Sequence, residues 1–448
     1  MANFSKSNVP QFSVDVYQNE YLPEGGREVN AIVTVTSTGG GTIGSAVAAP
    51  HVYTPGQGPD AAVAIMVDCS GSMDYPPTKM RGARDATAAA IDALRDGVRF
   101  AVIGGTHVAK EVYPGGGSLA VADPRTREQA KQSLRRLSAG GGTAIGTWLR
   151  LADRLLASAE VDIRHGIVLT DGRNEHESPQ DLKAALDSCA GRFTCDARGV
   201  GTDWEVKEVT GIASALLGTA DIVADPAGLA ADFTQMMETA MGKEVADVAL
   251  RLWTPVGTAI KFVKQVAPTV EELTGRRTEA GPRAGDYPTG SWGDESRDYH
   301  VCVEVPEAGI GQEMLAARVS LVVPQGDGPA QNLGAQGLVR AVWTDDMAAS
   351  TSINPQVAHY TGQAELAQVI QQGLDARKAG DVDGATAKLG RAVQLASASG
   401  NADTAKLLAK VVDVVDAAAG TVRLKAKVAE ADEMTLETRS TKTVRVKK

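Results

Sequence analysis

The stretch that decides the fold is "AAVAIMVDCSGSMDYPP", residues 61–77. Its apolar run, 61–67, is followed at once by Asp68, Ser70 and Ser72. A short apolar run that ends in a turn signal is typical of a strand buried on both faces of a parallel sheet. The carboxyl ends of such strands are where ligands bind in open α/β sheets. The stretch therefore predicts an α/β domain with a functional loop after its first strand.

Strand and helix patterns alternate over residues 60–242. The predicted strands are 61–67, 98–103, 107–113, 163–169, 194–200 and 220–224. The predicted helices are 79–94, 125–137, 143–157, 179–189, 205–216 and 227–241. Because several of these strands are apolar at every position, we expect helices on both faces of the sheet. The segment is predicted to be a doubly wound α/β domain with a mostly parallel sheet.

The segments on either side of this domain have β character. Residues 11–55 contain too few strands to close a sheet alone, which would leave exposed edges. We therefore predict that residues 11–55 and 245–345 form one discontinuous β-sandwich, into which the α/β domain is inserted. Apolar residues at helical spacing predict a C-terminal α-helical bundle over 362–430, with a third helix that runs through residues 407–418. The basic, Ser/Thr-rich end, 431–448, is predicted to be a flexible tail.

Composition restricts the classes of function. The chain has 448 residues and a formal net charge of −10, so it is predicted to have two or three domains and not to bind nucleic acid or anionic membranes. No run approaches the ~20 apolar residues of a membrane span, and none near the start is typical of a signal peptide. The four cysteines are scattered and are expected to be free thiols. We expect a cytoplasmic protein.

Three loops at predicted strand ends carry oxygen donors: "DCSGS" (68–72), "GGGT" (140–143) and "LTDG" (169–172). The carboxyl ends of parallel strands meet at one edge of a sheet, so we expect the donors to converge. They are Asp68, Ser70, Ser72, Thr143 and Asp171. Two carboxylates and three hydroxyls suit a hard divalent cation, with Mg²⁺ expected and Mn²⁺ or Ca²⁺ as alternatives. Neutral hydroxyls leave part of the cation's charge uncompensated, which predicts a site that attracts an acidic oxygen from a partner protein.

The same three motifs, in this order and on this strand–helix pattern, resemble the von Willebrand factor type A family, in a multi-domain bacterial form. They match its metal-ion-dependent adhesion site at all five positions. In that family the ion bridges to a carboxylate of a protein ligand. The resemblance implies a non-enzymatic protein-binding module, which we expect to act in intracellular bacterial complex assembly or stress signalling.

Two other functions stay open. One is a structural scaffold that holds its ion permanently and makes its contacts through the helical bundle. The other is a hydrolase with Ser70 or Asp68 as nucleophile, for which His165 or His176 would be the base. No Gly-x-Ser-x-Gly turn surrounds Ser70, and the glycine loop lacks the lysine of a phosphate-binding loop. Both absences disfavour catalysis.

Two further expectations concern charge. Hydroxyls among basic residues near the end of the chain predict a Ser/Thr kinase and a phosphothreonine-binding domain as partners. These hydroxyls belong to Thr435, Thr438, Ser440, Thr441 and Thr443. The N-terminus of predicted helix 143–157 should favour an anionic ligand at the site. Glu175 and Glu177 border the third loop and are expected to be mainly solvated.

Overall fold

A computed structural model describes residues 10–38, 59–326 and 328–446. The chain divides into two compact units. Of the described residues, 59–246 and 290–293 form the first, here named the α/β unit. The remaining described residues form the second, named the sheet-and-helix unit.

The strands and helices are numbered in chain order. Before the α/β unit come β1 (Gln11–Gln18), β2 (Tyr21–Leu22) and β3 (Glu28–Thr38). The α/β unit contains β4 (Ala61–Asp68), α1 (Thr78–Asp92), β5 (Arg99–Gly105), β6 (Ala109–Tyr113), β7 (Ala120–Val121), α2 (Pro124–Leu134), α3 (Ile145–Ala157), β8 (Ile163–Thr170), α4 (Pro179–Cys189), β9 (Thr194–Val200), α5 (Val206–Ala215), β10 (Leu217–Val223) and α6 (Leu229–Met241). Then follow β11 (Val245–Trp253), β12 (Ala259–Ala267), β13 (Glu271–Glu272), β14 (Thr278–Gly281), β15 (Ala284–Trp292), β16 (Glu295–Glu304), β17 (Glu313–Gln325) and β18 (Gly328–Trp343). The last elements are α7 (Met347–Thr351), α8 (Pro355–Lys378), α9 (Val382–Ser399), α10 (Ala402–Val411), β19 (Val412–Asp416), β20 (Thr421–Leu424) and α11 (Glu430–Arg439).

The α/β unit is built on a mixed sheet in the order β10-β9-β8-β4-β5-β6, with β7 also paired to β5. Strands β10, β9, β8, β4 and β5 run parallel to their neighbours, and β6 and β7 are antiparallel to β5. Every residue of central strand β4 is buried. Val63, Ile65 and Val67 pack into one core with α1 and α6. The alternate residues of β4 point to the opposite face, and α3 packs against β4 and β5. The predicted strand–helix alternation is confirmed.

In its described residues, the sheet-and-helix unit contains two large sheets and the small β19–β20 sheet. The first has the order β1-β3-β16-β12-β13 and the second the order β14-β15-β11-β17-β18-β2. Strand β3 pairs with β16 along its length, so chain segments from both sides of the α/β unit share one sheet. A Cβ added at Gly337 of β18 would lie within 3 Å of Val14 and Val16 of β1, which brings the two sheets face to face there. This contact supports the predicted β-sandwich, which stays a prediction. Residues 39–55 of its first segment lie outside the described residues.

The C-terminal helices are α8, α9 and α10, but the predicted third helix is wrong after Val411. There the chain turns into the β19–β20 hairpin. The last residue of α10 and the hairpin's first strand together read "VVDVVD". This stretch is rich in valine, a β-branched residue that favours strands. Gly420 supplies the positive φ, +69°, that the turn needs. Apolar spacing alone did not separate this strand from a helix.

The prediction of a flexible tail over 431–448 is wrong for residues 431–446. Helix α11 begins at Glu430, and its Leu436 is fully buried in the core of the C-terminal helices. The Arg445 guanidinium donates to both carboxylate oxygens of buried Asp298, at 3.0 and 2.8 Å, and the Thr443 hydroxyl donates to the Val266 carbonyl at 2.7 Å. Polar composition predicted disorder, but these polar groups have partners in the sheet. Residues 447–448 lie outside the described residues.

Across the described ranges, the structure contains no helix with both the length and the apolar character needed to span a membrane. All four cysteines are buried and free, as expected.

Candidate functional site

The first two motif loops are held together by their backbones. The Cys69 carbonyl accepts the Gly140 N–H at 2.8 Å, and the Gly71 N–H donates to the Gly141 carbonyl at 2.9 Å. Gly141 has φ +86°, a conformation that side chains disfavour. The glycine loop therefore lies directly against the turn that follows β4.

Three hydroxyls surround one point beside the third loop. A Cβ added at Gly172 would lie 3.0 Å from Ser72 Oγ, 3.6 Å from Thr143 Oγ1 and 3.8 Å from Ser70 Oγ. Ser70 Oγ and Ser72 Oγ are 2.9 Å apart. The hydroxyls thus line a small cradle that the absence of a side chain at Gly172 keeps open.

Both predicted carboxylates lie at this cradle and are fully buried. Asp68 Oδ1 accepts the Ser70 N–H at 2.7 Å, and Asp68 Oδ2 accepts the Thr170 hydroxyl at 2.7 Å. Asp171 Oδ1 accepts the Ser72 hydroxyl at 2.7 Å. Burial raises the pKa of Asp68 to about 6, although hydrogen bonds from Ser70 and Thr170 oppose the rise, and the charge of Asp171 adds to it. The structure therefore brings all five predicted side chains together.

Lys79, in the first turn of α1, is a site residue that sequence reasoning missed. Its Nζ lies 2.8 Å from Asp171 Oδ2 and 3.1 Å from Asp203 Oδ2. Burial lowers the pKa of the Lys79 ammonium, but Asp171 and Asp203 outweigh burial and hold that pKa above its ordinary value. The ammonium is therefore charged at neutral pH. One feature of the sequence points to Lys79 as a site residue, its position shortly after the first motif. Its residue type does not, because a lysine in a helix is more often solvent-exposed.

The third loop caps helix α3, which begins at Ile145 rather than at residue 143. Asn174 Oδ1 accepts the Ile145 N–H at 2.7 Å, and Glu177 Oε2 accepts the Gly146 N–H at 2.9 Å. These two amides are therefore bonded within the protein, which corrects the prediction that the helix N-terminus favours an anionic ligand. Glu177 is a capping residue rather than solvated surface, whereas Glu175 is exposed as expected.

The two histidines considered as catalytic bases have partners other than Ser70. His176 Nδ1 accepts the Thr143 N–H at 3.3 Å. His165 Nδ1 lies 3.0 Å from Thr194 Oγ1, and its Nε2 lies 3.0 Å from Asp196. His165 stands near the amino end of β8, away from the carboxyl end where Thr170 and Asp171 lie.

The donor set fits a hard cation. In the described part of the chain, the structure contains no group of three or more His, Cys, Asp or Glu side chains that could hold a metal. A cation in this cradle would therefore depend on hydroxyl oxygens beside the two carboxylates. All-oxygen sites of this kind are typical of Mg²⁺, Ca²⁺ and Mn²⁺ rather than of softer metals.

Comparisons with known proteins identify the family of this fold. One family model, the von Willebrand factor type A domain, matches residues 61–222, and a second, the von Willebrand factor type A C-terminal domain, matches 394–440. The solved structure of a von Willebrand factor type A protein from Catenulispora acidiphila is 53% identical, with a TM-score of 0.90 and 99% of each chain covered. The ArnB paralog VWA2 from Sulfolobus acidocaldarius shares the fold at 14% identity, with a TM-score of 0.56 and coverage of 96% of this chain and 98% of that one. No curated protein gives a significant match.

Proposed function

This chain belongs to the von Willebrand factor type A family, and on that premise we propose that it is a non-catalytic protein-binding module. In this proposal a divalent cation in the cradle bridges the chain to a carboxylate of a partner protein. The observation that carries the proposal is the convergence of Ser70, Ser72 and Thr143 on one point beside Gly172.

Each site residue has a distinct proposed role. The hydroxyls of Ser70, Ser72 and Thr143 would hold the ion directly, and Asp68 and Asp171 would supply negative charge. When bound, the ion supplies a centre of positive charge that attracts an acidic oxygen. Mg²⁺ is proposed first because it keeps exchangeable waters that such an oxygen can replace; Mn²⁺ and Ca²⁺ are the alternatives.

The partner is proposed to be a protein that presents an Asp or Glu side chain. The chain's net charge of −10 supports a protein rather than a nucleic acid as the ligand. A cytoplasmic location and a role in bacterial complex assembly or stress signalling stay predictions.

The proposal is tested by immobilising the protein in magnesium buffer and eluting bound proteins from native lysate with EDTA. We expect wild type to retain a partner that EDTA releases, and Asp171→Ala to lose it. Asp187→Ala is the matched control, because Asp187 is an exposed residue of α4 that pairs with Lys183. Capture that survives both EDTA and Asp171→Ala would contradict the proposal and favour the scaffold with a permanently held ion.

Magnesium binding is expected to weaken as the pH falls below about 6, where buried Asp68 takes up a proton. Above that pH Asp68 is ionised and available to the cation. Below it, a proton competes with the cation, and the affinity should drop by up to about tenfold per pH unit. Calorimetric titration at several pH values measures this, and Asp68→Asn should bind weakly without the dependence. Equal affinity at about pH 5 and about pH 7.5 would contradict a role for Asp68.

The hydrolase alternative loses support from the same contacts. Ser70 Oγ bonds to Ser72 Oγ rather than to a base, and both oxygens of the fully buried Asp68 accept hydrogen bonds. A nucleophile would have to lose these partners before it could reach a substrate.

A Ser/Thr kinase and a phosphothreonine-binding domain remain proposed partners, but fewer of the hydroxyls are accessible for phosphorylation. The hydroxyls of Thr438 and Ser440 are buried and donate to the carbonyls of Met434 and Glu437. Thr441 is exposed, which makes it the residue that best fits this proposal.

A further inference from the structure

Lys79 shares a carboxylate with the cradle. Asp171 accepts the Ser72 hydroxyl through Oδ1 and faces the Lys79 ammonium through Oδ2, at 2.7 and 2.8 Å. The Lys79 side chain is only 7% exposed, so water screens its charge poorly. A permanent positive charge therefore lies on the same carboxylate that would serve a divalent cation.

We propose that Lys79 sets the affinity of the cradle for a divalent cation by competing for the negative charge of Asp171. The proposal rests on the proposed function, because it assigns a further residue to that site. The ammonium lowers the negative potential that Asp171 presents to a cation, and the two positive charges repel each other.

Asp203 is a second partner for Lys79, and it reduces the competition between Lys79 and a cation for Asp171. Its carboxylate lies 3.1 Å from Lys79 Nζ and its side chain is 69% exposed. A cation bound at Asp171 would repel the ammonium. The ammonium could then pair with Asp203 alone, because the two groups are already in contact. Asp203 thus favours cation binding by offering Lys79 a partner other than Asp171.

A charge count shows what this arrangement does for a partner. Asp68 and Asp171 carry two negative charges and Lys79 carries one positive charge, so the buried charges of the site sum to −1. Asp203 is left out of this count because water screens the charge of its 69% exposed side chain. A divalent cation therefore leaves one positive charge over, which a single carboxylate of a partner neutralises. Lys79 makes the site bind its cation weakly without the partner and tightly with it, unlike a site that holds its ion permanently.

The test is calorimetric titration of purified protein with magnesium chloride. Lys79→Met should bind magnesium at least about tenfold more tightly than wild type, since one repelling charge is removed. Lys183→Met is the matched control, because Lys183 is 74% exposed on α4 and pairs with Asp187. Its affinity should equal that of wild type. A purely structural role for Lys79 would lower stability but would not raise affinity.

A second variant keeps the proposal testable if Lys79→Met does not fold. Asp203→Asn changes an exposed side chain, and it should weaken magnesium binding by several-fold because Lys79 then stays on Asp171. In a Lys79→Met background the same change should have no effect. Unchanged or weaker binding by Lys79→Met, or no effect of Asp203→Asn in otherwise wild-type protein, overturns the proposal. If wild type still binds magnesium when either of these results is obtained, only the proposal for Lys79 is wrong and the proposed function stands. If neither wild type nor any variant binds magnesium, the proposal for Lys79 and the proposed function are both wrong.

Discussion

Asp171→Ala is expected to abolish magnesium binding and to lower the free energy of unfolding of the metal-free protein by about 3 kcal/mol. The change removes a fully buried carboxylate that pairs with the Lys79 ammonium at 2.8 Å. It leaves that ammonium, on a 7% exposed side chain, with the exposed Asp203 as its one remaining ion-pair partner among the described residues. Urea unfolding measures the stability and calorimetric titration measures the binding.

The double variant Asp171→Ala with Lys79→Met separates the two effects. It removes the Lys79 charge that Asp171→Ala leaves without its buried partner, so most of the lost stability should return. Magnesium binding should not return, because a carboxylate of the site is still missing. A double variant as unstable as Asp171→Ala alone would show that the buried ion pair is not the cause, and magnesium binding by either variant would remove Asp171 from the site.

Gly105→Ala is expected to destabilise the protein by about 3 kcal/mol through overpacking. A Cβ at this position of β5 would lie 2.2 Å from Trp148 Cε2, and Trp148 is fully buried. Trp148 cannot move freely, because its Nε1 donates to the Thr106 carbonyl at 2.6 Å. The same carbonyl accepts the Ala144 N–H, so the clash also disturbs the backbone beside Thr143. Urea unfolding of the variant gives the measurement.

Gly211→Ala is the matched control for this substitution. Gly211 is an exposed residue inside helix α5, and a Cβ there meets no other atom within 4 Å. Alanine should leave stability unchanged or raise it by up to about 1 kcal/mol, because glycine is a poor helix former. Equal effects of the two substitutions would show that the Trp148 contact does not restrict Gly105.

The α/β unit and its site could be predicted from the sequence because both depend on local patterns. A buried strand such as β4 is a continuous apolar run, and its end is marked by the polar residues that follow it. Parallel strands place their carboxyl ends at one edge of the sheet, so three loops far apart in the chain could be assigned to one site. The convergence of these five side chains could therefore be predicted without knowledge of side-chain packing.

The features that were missed depend on pairs that only the folded chain brings together. Lys79 is buried because Asp171, 92 residues later, neutralises it. Residues 443–446 lie against the sheet because Arg445 meets Asp298, 147 residues earlier, and nothing near Arg445 in the sequence indicates that carboxylate. The β19–β20 hairpin was missed for another reason, since Leu407, Val411 and Val415 also fit helical spacing.

Anomalous scattering from a crystal grown with manganese tests most directly whether the cradle holds a hard cation. The account predicts one strong peak beside Gly172, within bonding distance of the hydroxyls of Ser70, Ser72 and Thr143. The same three hydroxyls, well ordered and with no peak between them at a high manganese concentration, would contradict it.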